Sequence, residues 1–258
     1  MLNSYKKNAK ITERQKKMKK ELGMKFIVKK EIFDIFPALK IGVVVGRRLT
    51  IRKKSKELEM LVKSNVEKLR EKVGDKNLID FNNIGAWRET YRKFGVSPKK
   101  YKPTAEAFLG RIIKRHSFPN INTAVDAYLA AELLYMLPIG GYDLEKITGD
   151  IVLRVSRGQE SFLPIGGENT ELTLPGEIIY ADDRIVLTRN WNYRDSDHTK
   201  ITEDSKDIIL ASEAALGDID PGDLTRTIDT IAQYEFAFCQ GQYNTYFLDK
   251  ENPEAQIK

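Results

Sequence analysis

Eleven consecutive residues, Arg189-Asn190-Trp191-Asn192-Tyr193-Arg194-Asp195-Ser196-Asp197-His198-Thr199, hold two cations, two carboxylates, two amides, two aromatic rings and a histidine. They follow a strand-like run, Arg184-Ile185-Val186-Leu187-Thr188. Mixed chemistry this dense, where a strand leaves a sheet, is a common way to build a pocket. Arg194 can meet a carboxylate or an ester carbonyl, and Asp195 can meet an α-ammonium. The same two side chains can instead pair with each other and pin the turn. Trp191 and Tyr193 alternate with Asn190 and Asn192, as in a strand continuing outward with one aromatic and one polar face. The aromatic face suits ordinary core, a side-chain pocket or a platform for an unpaired base.

His198 sits beside Asp195 and Asp197, but spacing this tight is usual for a turn with local hydrogen bonds, and no metal site is expected. His116 follows Lys114-Arg115 at an expected helix end, where a histidine commonly interacts with the terminal carbonyls. The chain has no Gly-rich loop leading to Lys-Ser/Thr and no Gly-x-Gly-x-x-Gly after a strand. It has neither a paired-histidine metalloprotease helix nor a Gly-x-Ser-x-Gly elbow. No cofactor is implied. What remains is Arg, Asp, Asn and backbone amides, a set that can place a water against an activated ester and stabilise the oxyanion that develops. Pro-Ile-Gly-Gly occurs at 138–141 and again at 164–167, which suits tight turns. The amides of Gly140 and Gly141 can also hold an anion.

The elements that must position these groups are a mixture of strands and helices. Phe26–Val28 and Leu39–Val45 read as strands on either side of a Phe36-Pro37 break. Residues 55–72 read as an exposed helix with Leu58, Leu61, Val62, Val66 and Leu69 on one face, and helices are expected near 85–94 and 103–115. Pro98 and Pro103 punctuate the connection that carries Lys99, Lys100 and Lys102. In a helix over about 121–136, Glu132 falls inside the apolar stripe formed by Ile121, Val125, Tyr128, Leu129, Leu133 and Met136. A carboxylate there is expensive to bury unless paired. It either bridges to an arginine of the sheet, such as Arg154, or faces a polar pocket. Strands follow at 151–155, 178–180 and 185–187, with a turn at Asp182-Asp183. Helices are expected near 204–216 and 223–238, before a polar tail.

Composition sets the frame. The chain has 258 residues, of which 41% are hydrophobic, enough for one large core or two modest ones. A single cysteine, Cys239, excludes an intrachain disulfide or a multi-cysteine zinc site and fits a reducing cytoplasm. No apolar run is long enough to span a membrane, and residues 1–23 are too polar for a secretory signal. Residues 1–54 hold 17 Lys and Arg against 4 Asp and Glu, whereas the remainder holds 26 against 33. A basic arm on a mildly acidic body fits a polyanionic partner or a solvated helical extension. Lys16, Lys17, Lys19 and Lys20 can meet phosphates, although they read no sequence by themselves.

A set of motifs then comes in a distinctive order: Trp87-Arg88, Tyr91-Arg92, Pro119-x-Ile121-Asn122, Val125-Asp126, Leu137 to Asp143, Gly149-Asp150, Leu153-Arg154, Gly176-Glu177 and Asn190 to Ser196. Over roughly residues 25–240 this order resembles stand-alone relatives of the B-three/B-four domain, the tRNA-editing domain in the beta subunit of phenylalanyl-tRNA synthetase. The resemblance implies an α/β (α+β) fold: a single B-three/B-four-type domain with a layered β core of unusual topology flanked by helices. The expected boundaries are a basic arm at 1–23, the domain at 24–250 and a polar tail at 251–258.

The resemblance also implies a trans-acting editing hydrolase that removes a wrong amino acid from a misacylated tRNA, with no role in charging it. The alternatives are a non-catalytic tRNA- or amino-acid-binding module and a small-molecule hydrolase on the same fold. In this reading Gly140 and Gly141, with Arg194, stabilise the oxyanion, and Glu177, Asp195 or His198 orients the water. Glu132, Tyr142, Arg154, Trp191, Asn192 and Tyr193 complete the aminoacyl pocket. The arm lysines and Lys99, Lys100 and Lys102 hold the tRNA backbone. Glu177 can instead simply start a strand. The chain departs from the synthetase domain in having Gly140 about where that domain has a histidine, and a bulky, charged Trp191–Ser196 segment in place of a glycine-rich loop. A charged or polar amino acid therefore suits Glu132, Arg194 and Asp195 better than tyrosine. Oligomeric state is left open.

Overall fold

The computed structural model describes residues 23–114 and 117–257, and it is a mixed α/β fold with two principal sheets. Lys16, Lys17, Lys19, Lys20 and His116 lie outside the described residues.

The six-stranded sheet runs β12 (Glu254–Ile257), β1 (Met24–Val28), β4 (Ile151–Val155), β7 (Ile178–Ala181), β8 (Val186–Arg189), β9 (Arg194–Asp195). All its pairings are antiparallel except β1 with β4. The four-stranded sheet runs β11 (Gln242–Leu248), β2 (Lys40–Arg47), β10 (Ile208–Ala214), β3 (Ile139–Asp143), antiparallel throughout. A short ribbon joins β5 (Ser161–Phe162) to β6 (Glu171–Leu172). The helices are α1 (Lys30–Ile35), α2 (Lys56–Val73), α3 (Asn82–Lys93), α4 (Thr104–Ile113), α5 (Thr123–Tyr135) and α6 (Pro221–Cys239).

Local sequence explains most of these boundaries. Ser55 caps α2 by accepting from the Leu58 amide, and the Asn122 side chain accepts from Ala124 and Val125 to start α5. Asp220 caps α6, with a proline in its first turn. Ala127 and Ala130 on α5 join Leu58 and Val62 of α2 and the aromatic Tyr234 and Phe238 of α6 in one apolar cluster, because small residues let helices approach closely. The main core fills the space under both sheets with Phe26, Phe36, Trp87, Tyr91 and Trp191 among its largest members.

Three segments differ from the sequence expectation. The helix expected near 204–216 is instead strand β10, seated between β2 and β3 with all seven residues buried. β10 reads IILASEA and is covered on both faces, so it lacks the apolar–polar alternation that marks a strand in sequence. The polar tail at 251–258 contains β12, whose Ile257 is buried and pairs with Met24. The Trp191–Tyr193 segment does not continue a strand: Asn190 and Trp191 take φ of 46° and 66°, and the chain turns sharply. A bulky residue in that region is strained, and the surroundings must hold it there. The Trp191 ring sits edge-on to Trp87 and Phe36, with centroids 5.3 and 5.0 Å away, and its amide donates to the Ile178 carbonyl.

Candidate functional site

The turn at Trp191 brings both sheets to one small cavity of about 80 Å³. The edge strand β3 supplies Gly140 and Tyr142, and β10 supplies Ala211 and Glu213 from the same sheet. From the other sheet come Tyr180 on β7, Thr188 on β8, and Arg194 and Asp195 on β9. Thr104, at the start of α4, closes one side, and its amide donates to the Asn192 carbonyl.

Three side chains form a directed relay. The Thr188 hydroxyl donates to Asp195 Oδ1 at 2.6 Å, so the Tyr142 hydroxyl, 2.6 Å from Thr188 Oγ1, must donate to Thr188. Asp195 Oδ2 takes no hydrogen bond from the described residues. A Cβ on Gly140 would stand 3.7 Å from that oxygen, so the glycine keeps the space in front of the carboxyl open. Nearby, Glu213 accepts from the Tyr180 hydroxyl at 2.7 Å through one oxygen only.

The electrostatics separate these two acids. Burial pushes the Asp195 carboxyl up to about 6, partly opposed by the Thr188 hydroxyl. Burial pushes Glu213 up to about 8, with the Tyr180 hydroxyl opposing and the Asp195 charge adding to the rise. Glu132 is a third carboxyl behind them on α5, fully buried, and neither of its oxygens accepts a hydrogen bond of normal geometry. Burial holds it well above the usual carboxylate range. The Ile139 amide opposes that rise, and the charges of Asp195 and Glu213 reinforce it. Glu132 does not line the cavity, contrary to the sequence expectation that it completes the aminoacyl pocket.

Several sequence expectations meet here and others do not. Gly140, Tyr142, Trp191, Asn192, Tyr193, Arg194 and Asp195 all line the cavity. Arg194 and Asp195 do not pair with each other: Arg194 is exposed, its guanidinium 5.5 Å from the Tyr193 ring centre. The expected bridge from Glu132 to Arg154 is not made, because Arg154 pairs with Glu160 in a different cleft. Glu177 does not reach the cavity. It is buried, with both oxygens held by Arg189 at 2.5 and 3.0 Å. His198 is exposed and does not line the cavity; its backbone amide donates to Ser196.

The expected pair of oxyanion amides is also not assembled. The Leu144 amide donates to Asp207, and the β3–β10 register continues unbroken to Gly140 and Ala211. Ladder alternation therefore commits the Gly140 amide to β10 and turns the Gly141 amide to the opposite edge. A Cβ on Gly141 would lie 2.3 Å from Leu210 Cδ2, so this glycine serves close packing.

The lysine-bearing connection meets the cavity lining through Tyr101. Lys99 and Lys100 are exposed, and Lys100 Nζ stands 5.1 Å from the Tyr101 ring centre. Tyr101 meets Tyr193 edge-on with centroids 5.1 Å apart, while Lys102 lies 3.8 Å from Glu106.

Sequence reading missed Glu213, Thr188 and Tyr180. Glu213 carried the same signal as Glu132, a carboxylate inside an apolar run, but expecting a helix at 204–216 placed it on no defined face. Among the described residues no cluster of three His, Cys, Asp or Glu can hold a metal ion, and no helix is long and apolar enough to cross a membrane.

The fold and the cavity together define an α/β domain with a small open cavity of mixed polar and apolar lining that holds two acids of separated strength. The chain belongs to the B3/4 domain family, whose model matches residues 86–231, more than half of the chain and every residue lining the cavity. Among solved structures it is similar to an N-terminal fragment of the phenylalanyl-tRNA synthetase beta-subunit from Pyrococcus horikoshii. That similarity has 14% identity and a TM-score of 0.42, over 84% of this chain and 49% of that one. The chain thus spans about half the length of that fragment. No curated protein matches the chain.

Proposed function

We propose that the protein is a trans-acting hydrolase that removes the amino acid from a misacylated tRNA. The observation that carries this reading is Asp195: one carboxyl oxygen is fixed by Thr188, and the other takes no hydrogen bond from the described residues, in a cavity that also holds an acid of higher pKa. Two carboxyls pushed apart in strength are suited to opposite proton-transfer roles.

In this mechanism Asp195, ionised at neutral pH, takes a proton from a water through Oδ2 as the water oxygen bonds the ester carbonyl carbon. A base with a pKa of about 6 is matched to work near neutral pH. The Arg194 guanidinium meets the oxyanion that develops. Glu213, protonated below about pH 8, gives its proton to the ribose oxygen as the ester carbon–oxygen bond breaks. The products are the free amino acid and the tRNA terminal hydroxyl, and solvent returns the proton from Asp195 to Glu213. The exposed Lys99 and Lys100, on the connection whose Tyr101 packs on Tyr193, suit the phosphates of the acceptor end.

Purified protein mixed with correctly and wrongly charged tRNAs tests this reading. Accelerated deacylation of a mismatched pairing, abolished in Asp195→Asn, supports it. Undiminished tRNA binding without turnover on any pairing would replace it with a binding module.

A further inference from the structure

We infer that the protein forms a two-fold dimer in which β11 pairs antiparallel with β11 of a second copy, joining two four-stranded sheets into one. The inference goes beyond the hydrolase reading and does not depend on it. β11 lies at the opposite edge of its sheet from β3, the strand that supplies Gly140 and Tyr142 to the cavity.

The ladder defines what this edge offers. The Leu144 amide donates to the Asp207 carbonyl, and the registers from β3 through β10 and β2 to β11 run unbroken. Alternation then commits the backbone of Gln242, Asn244, Tyr246 and Leu248 to β2 and turns that of Tyr243, Thr245 and Phe247 outward. Among the described residues nothing pairs with those outward N–H and C=O groups. Natural sheets guard such an edge by keeping it short, charging it, bulging it or covering it. The other edges of the two principal sheets comply. β9 is only Arg194 and Asp195, β12 has four residues and carries Glu254, and β3 has five, four of them buried. β11 has seven residues, Gln-Tyr-Asn-Thr-Tyr-Phe-Leu, without a charge, a proline or a bulge, and Thr245 and Phe247 are exposed.

The strand fits its own copy. A two-fold axis at Thr245 sets Thr245 opposite Thr245 of the partner subunit and Tyr243 opposite Phe247 of the partner subunit, so every outward donor meets an outward acceptor. Tyr243 and Phe247 stand on one face of the sheet, over Gly46 and Gly42 of β2. A Cβ on those glycines would meet the two rings at 2.8 and 3.4 Å. α6 covers the same face, since the Cβ on Gly42 would also strike Ile228. The axis therefore builds an aromatic cross-strand pair on each side of itself, a stabilising kind of pair. Charge does not oppose it: Asp249 and Lys250, just past the strand, fall opposite Gly241 and Gln240 of the partner subunit. A foreign strand has to match this register by its own sequence, whereas a second copy matches it by symmetry.

Sedimentation equilibrium of the full chain over a concentration series tests the inference. The 29.5 kDa protein should reach twice that mass as concentration rises. Thr245→Lys sets two like charges opposite each other at the axis, on a side chain that is exposed in the single copy. Thr245→Pro removes only an outward N–H, the one place where a strand tolerates proline. Each variant should raise the dimer dissociation constant at least about tenfold, because facing like charges or losing the central hydrogen bonds penalises only the pair. Far-UV circular dichroism should match the wild type, and Thr245→Lys decides the matter if the proline variant does not fold. A wild-type protein that stays monomeric throughout the series would overturn the inference. So would a dimer that Thr245→Lys leaves at wild-type strength, since its interface would lie elsewhere. The readout is mass alone, so failure of the hydrolase reading would leave this result standing.

Discussion

The Thr188 hydroxyl holds Asp195 Oδ1 at 2.6 Å, joining neighbouring strands of one sheet at the point where the other sheet supplies Tyr142 and Gly140. Replacing Thr188 with valine keeps the shape and removes the hydrogen bond that lowers the Asp195 pKa. Burial then acts with less opposition, so the acidic limb of the pH–rate profile should move to higher pH. Profiles of the two proteins on the same substrate check this, and coincident acidic limbs would count against it.

The wild-type profile should be bell-shaped. Activity should rise as Asp195 ionises near pH 6 and fall as Glu213 ionises near pH 8. The two groups interact, so the apparent values belong to the pair. Glu213→Gln should remove the alkaline limb and lower the maximum rate, since the amide gives up no proton.

The same acids govern stability with a definite sign. Both pKa values are raised in the fold, so above its ordinary pKa each carboxyl holds more protons folded than unfolded, and stability falls as pH rises. For Glu213 the loss runs from about 4.5 to about 8 and then levels off. Glu213→Gln should flatten that part of the curve, an effect on the order of a few kcal/mol at pH 9. Thermal melts from pH 5 to pH 9 measure it.

The adjacent glycines should separate function from folding. Gly140→Ala places its methyl in ordinary contact with Asp195, so the protein should fold normally and lose activity. Gly141→Ala drives a methyl against Leu210 Cδ2 and to 2.8 Å from the Ile209 carbonyl, and should cost about 1–3 kcal/mol of stability. Denaturant melts beside activity assays distinguish the two, and the reverse pattern would contradict the placement of these residues.

Much of the fold was legible because its signals are local. Ser55 and Asn122 mark helix starts, and the stripe of Leu58, Val62 and Leu69 marks a buried face. Half of the candidate site was legible as well, since Arg194 and Asp195 stand in a segment too polar for packing alone. The rest depended on partners distant in sequence. Glu132 needed a neighbour that sequence could not supply, and Arg154 was already occupied by Glu160, six residues away. Glu177 resembled an active-site acid until Arg189, twelve residues on, claimed both oxygens. Glu213 became visible only once β10 was a strand between β2 and β3.

The Arg189–Glu177 pair yields a structural prediction. It is largely buried, and Arg189→Ala would leave Glu177 unpaired, costing about 3–5 kcal/mol. Because neither residue lines the cavity, folded molecules of this variant should deacylate within about twofold of wild type, a margin worth under 0.5 kcal/mol of barrier.

The most direct test of the account is single-turnover deacylation of a mismatched aminoacyl-tRNA by wild type and Asp195→Asn, both checked for equal tRNA binding. The account predicts equal binding and a rate in the variant lower by a factor of about 100 or more, the usual weight of a positioned general base. An Asp195→Asn protein that binds the same tRNA and deacylates it at the wild-type rate would contradict it.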